Sequence, residues 1–123
     1  MKVVLWLDDM RDPKSYAYKD LLDTFCPGRE KVVWAKDAFA FKEEYLQVFE
    51  DPDSQLVGVF FDNDLGTPGG ADGRHVFTWM ERHVRENNIP EFELYAQTSN
   101  PAAKRELNGG FASLRRFWAG MED

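Results

Sequence analysis

A single cysteine, Cys26, stands in 123 residues, so no disulfide can form within the chain and no cysteine-rich metal site can be built. That scarcity fits a reducing, cytoplasmic setting. Long apolar runs are missing as well. Nothing approaches the ~20 residues that span a bilayer. The apolar stretch Val3–Leu7 stops at Asp8, too short for the apolar region of a secretory signal. Positive charge is also short: 15 Lys and Arg against 22 Asp and Glu leave a net charge of −7. Such a balance disfavours general binding to nucleic acid backbones or anionic membranes. The expectation is a soluble, cytoplasmic protein with no membrane association and no strong general affinity for nucleic acid.

What is present is apolar and aromatic. A content of 43% hydrophobic residues, with 10 Phe, 4 Trp and 4 Tyr, suffices for one core and for a single domain spanning residues 1–123. Val3–Leu7 (VVLWL) is a short apolar run rich in β-formers, expected of a strand buried on both faces. Tyr18, Leu21, Leu22 and Phe25 follow at helical spacing, ended by Pro27-Gly28. Lys31–Ala35 (KVVWA) reads as a second strand. Asp37 then caps a helix carrying Phe41, Tyr45 and Phe49, which stops near Pro52. Leu56–Phe61 (LVGVFF) is a third strand, again doubly buried. A glycine-rich loop leads from there to a helix with Val76, Phe77, Met80 and Val84 on one face. Phe92, Leu94 and Ala96 alternate with polar neighbours, the period of an edge strand. Asn100-Pro101 opens a last helical region, which Gly109-Gly110 is expected to interrupt before Phe111, Leu114 and Trp118 resume it.

Strict alternation of strand and helix predicts an α/β fold with a parallel sheet covered by helices. Two doubly buried strands and two edge strands give the order 2-1-3-4, a short flavodoxin-like three-layer sandwich. In such sheets ligands bind beyond the carboxyl ends of the strands, where the order reverses. That point falls between the first strand, ending in Asp8-Asp9, and the third, ending in Asp62-Asn63-Asp64. The fourth ends nearby in Gln97-Thr98. Clustered carboxylates repel unless they bind protons or a cation. Few hard oxygen ligands, with room left for water and phosphate oxygens, suit Mg²⁺ or Mn²⁺. Asp8, Asp9, Asp62 and Asp64 are the candidate metal ligands, and Thr98 can hydrogen-bond a phosphate oxygen.

Taken together, LDDMRDP (Leu7–Pro13), DNDLG (Asp62–Gly66), Asp72-Gly73 at the start of the third helix and QTSNP (Gln97–Pro101) resemble a known pattern. It is that of receiver-like domains of the response-regulator fold, closest to the cyclic-phosphate-processing receiver branch common in phages and bacteria. The resemblance spans nearly the whole chain and implies a metal pocket acting on a phosphate-bearing small molecule, a nucleotide or an RNA end. It further implies that Asp8 and Asp9 hold the metal, that Asp62 ligates it and can accept a phosphoryl group, and that Asp64 contributes mainly its carbonyl. Two departures stand out. Asn63 replaces the family's histidine between the two aspartates, and Gln97 replaces the one at the fourth strand end. Amides cannot shuttle protons. The fifth strand of ordinary receivers and its phosphate-binding lysine are also missing, and Arg11 and Lys104 are the candidates to supply that cation.

Each of these residues has an ordinary reading beside the functional one. Arg11 can clamp a phosphate or pair with Asp8 or Asp12, and Asp64 can be a ligand or a loop cap. Asn63, Gln97 and Asn100 are candidates to bind a ligand's polar groups. The stretch from Thr67 to Gly73 can cradle phosphate or simply turn. His75 suits a surface role and His83 a packing role, and Arg115-Arg116 suit an amphipathic helix face. Three functions remain open: an enzyme on phosphate esters or cyclic phosphates with Asp62, Thr98 and Arg11 as its catalytic groups, a phospho-accepting switch with Asp62 as acceptor, or a binding module without turnover.

Overall fold

The computed structural model describes residues 1–66 and 70–121. Four strands, β1 (Lys2–Leu7), β2 (Lys31–Ala35), β3 (Gln55–Phe61) and β4 (Glu93–Ala96), alternate with α1 (Lys19–Phe25), α2 (Ala38–Glu50), α3 (Gly73–Asn87) and α4 (Pro101–Trp118). A short 3₁₀ turn, Tyr16–Tyr18, precedes α1. All three strand pairs are parallel, in the order β2-β1-β3-β4, as the burial pattern of the sequence requires. Among the described residues no helix is long and apolar enough to cross a membrane.

The two faces of the sheet are covered unequally. Alternate side chains of β1 and β3 (Val3, Leu5, Leu7, Val59, Phe61) meet α2, α3 and α4 in the larger core. The opposite set (Val4, Trp6, Phe60) packs under α1 with Leu22 and Cys26, as the period of two in a strand dictates. Gly58 is required there, because a Cβ would lie 2.4 Å from the Cys26 sulfur.

α4 corrects one expectation. It runs unbroken from Pro101 to Trp118 through Gly109 and Gly110. The reason lies in the packing of α4 on α3, since a Cβ at Gly110 would sit 2.5 Å from Phe77 Cε2. The glycine allows two helices to approach rather than ending one. Helical spacing in α2 places Phe41, Tyr45 and Val48 in the core, with Phe49 left at the surface against the rings of Tyr45 and His83. His83 is a packing residue, its Nδ1 2.9 Å from the Tyr45 hydroxyl. Arg115, an exposed residue, and the half-buried Trp118 donate to the carbonyls of Leu94 and Ile89.

Candidate metal and phosphate site

The sheet ladder extends one rung past its strands. The amides of Asp8, Asp62 and Gln97 donate to the carbonyls of Ala35, Leu7 and Phe61 at 3.0, 2.8 and 2.8 Å. Backbone bonding therefore fixes three candidate residues side by side at the carboxyl edge of the sheet. Asp8, Asp9 and Asp62 each bring a carboxylate oxygen within 4.8 Å of the others. Asp8 is fully buried and Asp62 nearly so, while Asp9 lies at the mouth.

Asp8 is saturated. Its Oδ1 accepts the amides of Met10 (2.9 Å) and Arg11 (2.8 Å), and its Oδ2 accepts Arg11 Nη1 and Gln97 Nε2, both at 3.1 Å. Asp62 is not. Its Oδ1 takes the Asn63 amide at 2.8 Å and faces Arg11 Nη1 at 3.7 Å. Among the described residues no hydrogen bond reaches its Oδ2 or the Asp9 carboxylate. Burial, reinforced by the charge of Asp8, pushes the Asp62 carboxyl up to about 6, against the opposing pull of the Asn63 amide and Arg11. The pocket thus offers two open carboxylates, Asp9 and Asp62, beside one already filled. Gly66 lets the loop pass close over Asp9. Its φ is +72°, and a Cβ would lie 2.8 Å from Asp9 Oδ2, so the turn and the contact both call for glycine.

Several residues of the motif are engaged elsewhere. Asn63 is 2% exposed; its Oδ1 accepts the Arg74 amide and its carbonyl accepts the Gly73 amide. Asp72 Oδ1 takes the His75 amide, in a reciprocal cap with the His75 ring. The first amides of α3 are therefore satisfied internally. Gly73 is required by the same contact, since a Cβ would stand 1.9 Å from the Asp62 carbonyl oxygen. Asp64 is exposed, lies outside the three-carboxylate cluster and accepts from Asn63 Nδ2 at 3.4 Å. Asn100 caps α4 through the amides of Ala102 and Ala103. Thr98 is buried, and its Oγ1 accepts the Asn100 amide at 3.1 Å. Thr67, Pro68 and Gly69, the first part of the stretch that can cradle phosphate, lie outside the described residues. Of the two candidate cations, Arg11 is in the pocket and Lys104 sits exposed in the first turn of α4.

The sequence gives no sign of which acceptors the indoles of Trp6 and Trp34 find. Trp34 Nε1 donates to the Asp8 carbonyl at 2.7 Å, and Trp6 Nε1 to the Arg11 carbonyl at 2.9 Å. Each indole clamps the loop bearing the acids. Tryptophans close to a strand end, whose N–H needs an acceptor when it is covered, were the available signal.

Comparison with models of protein families matches residues 3–113 to the cyclic-phosphate processing receiver domain. The chain belongs to that family. Neither a curated protein nor a solved structure matches it. This receiver domain has the acidic strand ends that the resemblance implies, and carries amides at the two positions where it implies imidazoles. The structure ties those amides down, Asn63 to α3 and Gln97 to Asp8.

Proposed function

We propose that this receiver domain binds Mg²⁺ or Mn²⁺ in its acidic pocket and, with the metal, a phosphate-bearing ligand such as a cyclic phosphate, a nucleotide or an RNA end, in a reducing cytoplasmic setting. The observation that carries this reading is the meeting of three carboxylates within 4.8 Å at the ends of adjacent parallel strands. The donor set fits a hard divalent cation, which takes oxygen ligands and keeps several waters. Asp9 and Asp62 would hold it directly, while Asp8 orients the loop. When bound, the cation would offset charge on phosphate oxygens.

Binding without acid–base turnover is the favoured form of this function. The two amides cannot carry protons, and His75 is committed to the cap of α3. Burial and the charge of Asp8 push the Asp62 carboxyl up to about 6. That property also supports a second reading, in which Asp62 accepts a phosphoryl group through its open Oδ2.

Calorimetric and thermal-shift titration with Mg²⁺ and Mn²⁺ tests the metal. A ligand that binds the native state raises stability by mass action, about 2.7 kcal/mol at a hundred times Kd. Asp62→Asn is expected to lose most of that gain. Absence of any shift in the native chain at millimolar metal would overturn the reading. A phosphodonor that leaves an acid-labile adduct on the native chain but not on Asp62→Ala would favour the acceptor role.

A further inference from the structure

We propose that the Arg11 side chain is an internal counter-ion that leaves the pocket when a divalent cation enters, and that the released guanidinium then takes the ligand's phosphate, so that metal binds before phosphate. The inference rests on the metal reading above and adds an order of events to it. A single nitrogen, Arg11 Nη1, lies 3.1 Å from Asp8 Oδ2, 3.0 Å from the Gln97 carbonyl and 3.7 Å from Asp62 Oδ1. It occupies the negative field that would draw a metal. Asp8 has no oxygen to spare while this holds, because each carboxylate oxygen already accepts two donors. A dication held by Asp9 and Asp62 and the guanidinium that faces Asp62 at 3.7 Å would also repel one another in a poorly solvated site.

Charge favours the exchange. Three carboxylates against one guanidinium leave two net negative charges in the pocket, and replacing the guanidinium with a dication leaves one. The exchange would leave the Gln97 carbonyl without the Arg11 donor it now has at 3.0 Å, beside a Gln97 Oε1 that already lacks a partner among the described residues, so charge, not polar satisfaction, is what drives it.

The geometry confines the motion to the side chain. The Arg11 amide is held by Asp8 Oδ1 and its carbonyl by Trp6 Nε1, while the side chain is 34% exposed and can swing outward from a fixed backbone. A guanidinium released at that mouth presents two parallel N–H donors, the geometry that suits phosphate oxygens.

The test compares the native chain with Arg11→Gln and Arg11→Lys by calorimetry, first with Mg²⁺ alone and then with inorganic phosphate added to Mg²⁺-loaded protein. Circular dichroism verifies folding. Arg11→Gln is expected to bind Mg²⁺ about 5- to 50-fold more tightly and phosphate about tenfold more weakly, in the range of a lost charge-assisted contact. Arg11→Lys keeps the competing charge and loses the fork, so its Mg²⁺ affinity should stay near native while phosphate weakens. Native protein should take up phosphate only with Mg²⁺ present. Unchanged or weaker Mg²⁺ binding by Arg11→Gln would overturn the exchange and leave Arg11 a structural ion pair, with the metal reading intact. Mg²⁺ binding by Arg11→Gln alone would also overturn it, making the guanidinium a permanent substitute for metal. Binding by none of the three proteins would instead bring down the metal reading itself.

Discussion

Asp8 and Asp62 end adjacent strands and are buried almost alike, 0% and 6% exposed, yet their surroundings have little in common. Asp8 receives four hydrogen bonds and serves as the knot that ties the loop after β1 to Arg11 and Gln97. Asp62 receives one, with a guanidinium further off, and its carboxyl is pushed up to about 6 by burial and by its acidic neighbour. Burial alone therefore does not mark a carboxylate as functional. Unmet hydrogen-bonding capacity next to like charge is the better sign, because it is what a metal or a phosphoryl group would relieve.

Removing each partner should move stability in opposite directions. Asp8→Ala removes the acceptor of four donors, one of them the half-buried Arg11 guanidinium, and should cost about 2–3 kcal/mol in denaturant unfolding. A loss under about 1 kcal/mol would erase the distinction. Asp62→Asn keeps the oxygen that receives the Asn63 amide and removes one repelling charge. In metal-free protein it should add about 1–2 kcal/mol at pH 7.5. The sign follows from the raised carboxyl. The folded state holds the Asp62 proton more tightly than the unfolded chain, so this group's contribution to native stability falls as pH rises from the ordinary carboxylate range through about 6. The gain from Asp62→Asn should accordingly be small near pH 4, grow across that window and level off above it. A pH-independent gain would remove charge as its cause. Gln97→Leu sharpens the Asp8 side. Losing a donor to a charged group costs about 1.5–3 kcal/mol, but the substitution also removes a buried unpaired oxygen of comparable cost. A net change within about 1 kcal/mol is expected in the same unfolding measurement, and a larger loss would mean that Oε1 is satisfied in solution.

The strands, their order and the acidic crevice were legible in the sequence because each follows from a short-range pattern. Continuous apolar runs mark buried strands, alternation marks an edge, and acids after two neighbouring strands must share the switch point. The uses of the amide side chains were not legible. Whether Asn63 faces a ligand or the Arg74 amide depends on where α3 enters, which is set by the contact of Gly73 with the Asp62 backbone. Asn100 was read both as a cap and as a ligand contact, and the structure gives its Oδ1 to α4. Gly109-Gly110 misled for a related reason. A glycine pair reads locally as a break, yet Gly110 answers to Phe77 on another helix while nothing lies near Gly109. Arg11 was visible as a cation, but its placement over both acids needed the fold.

The thiol beneath Gly58 has a kinetic meaning. Cys26 is 4% exposed, and burial pushes its thiol up to about 11, so at neutral pH it is both shielded and protonated. A thiol reagent can reach it only when α1 lifts from β3. As the chain's only cysteine, it gives a single, unambiguous labelling event. Its modification rate therefore times the opening of the thinly covered face of the sheet, the one that carries Trp6 beneath the acidic loop, and it does so with no engineered residue in the protein.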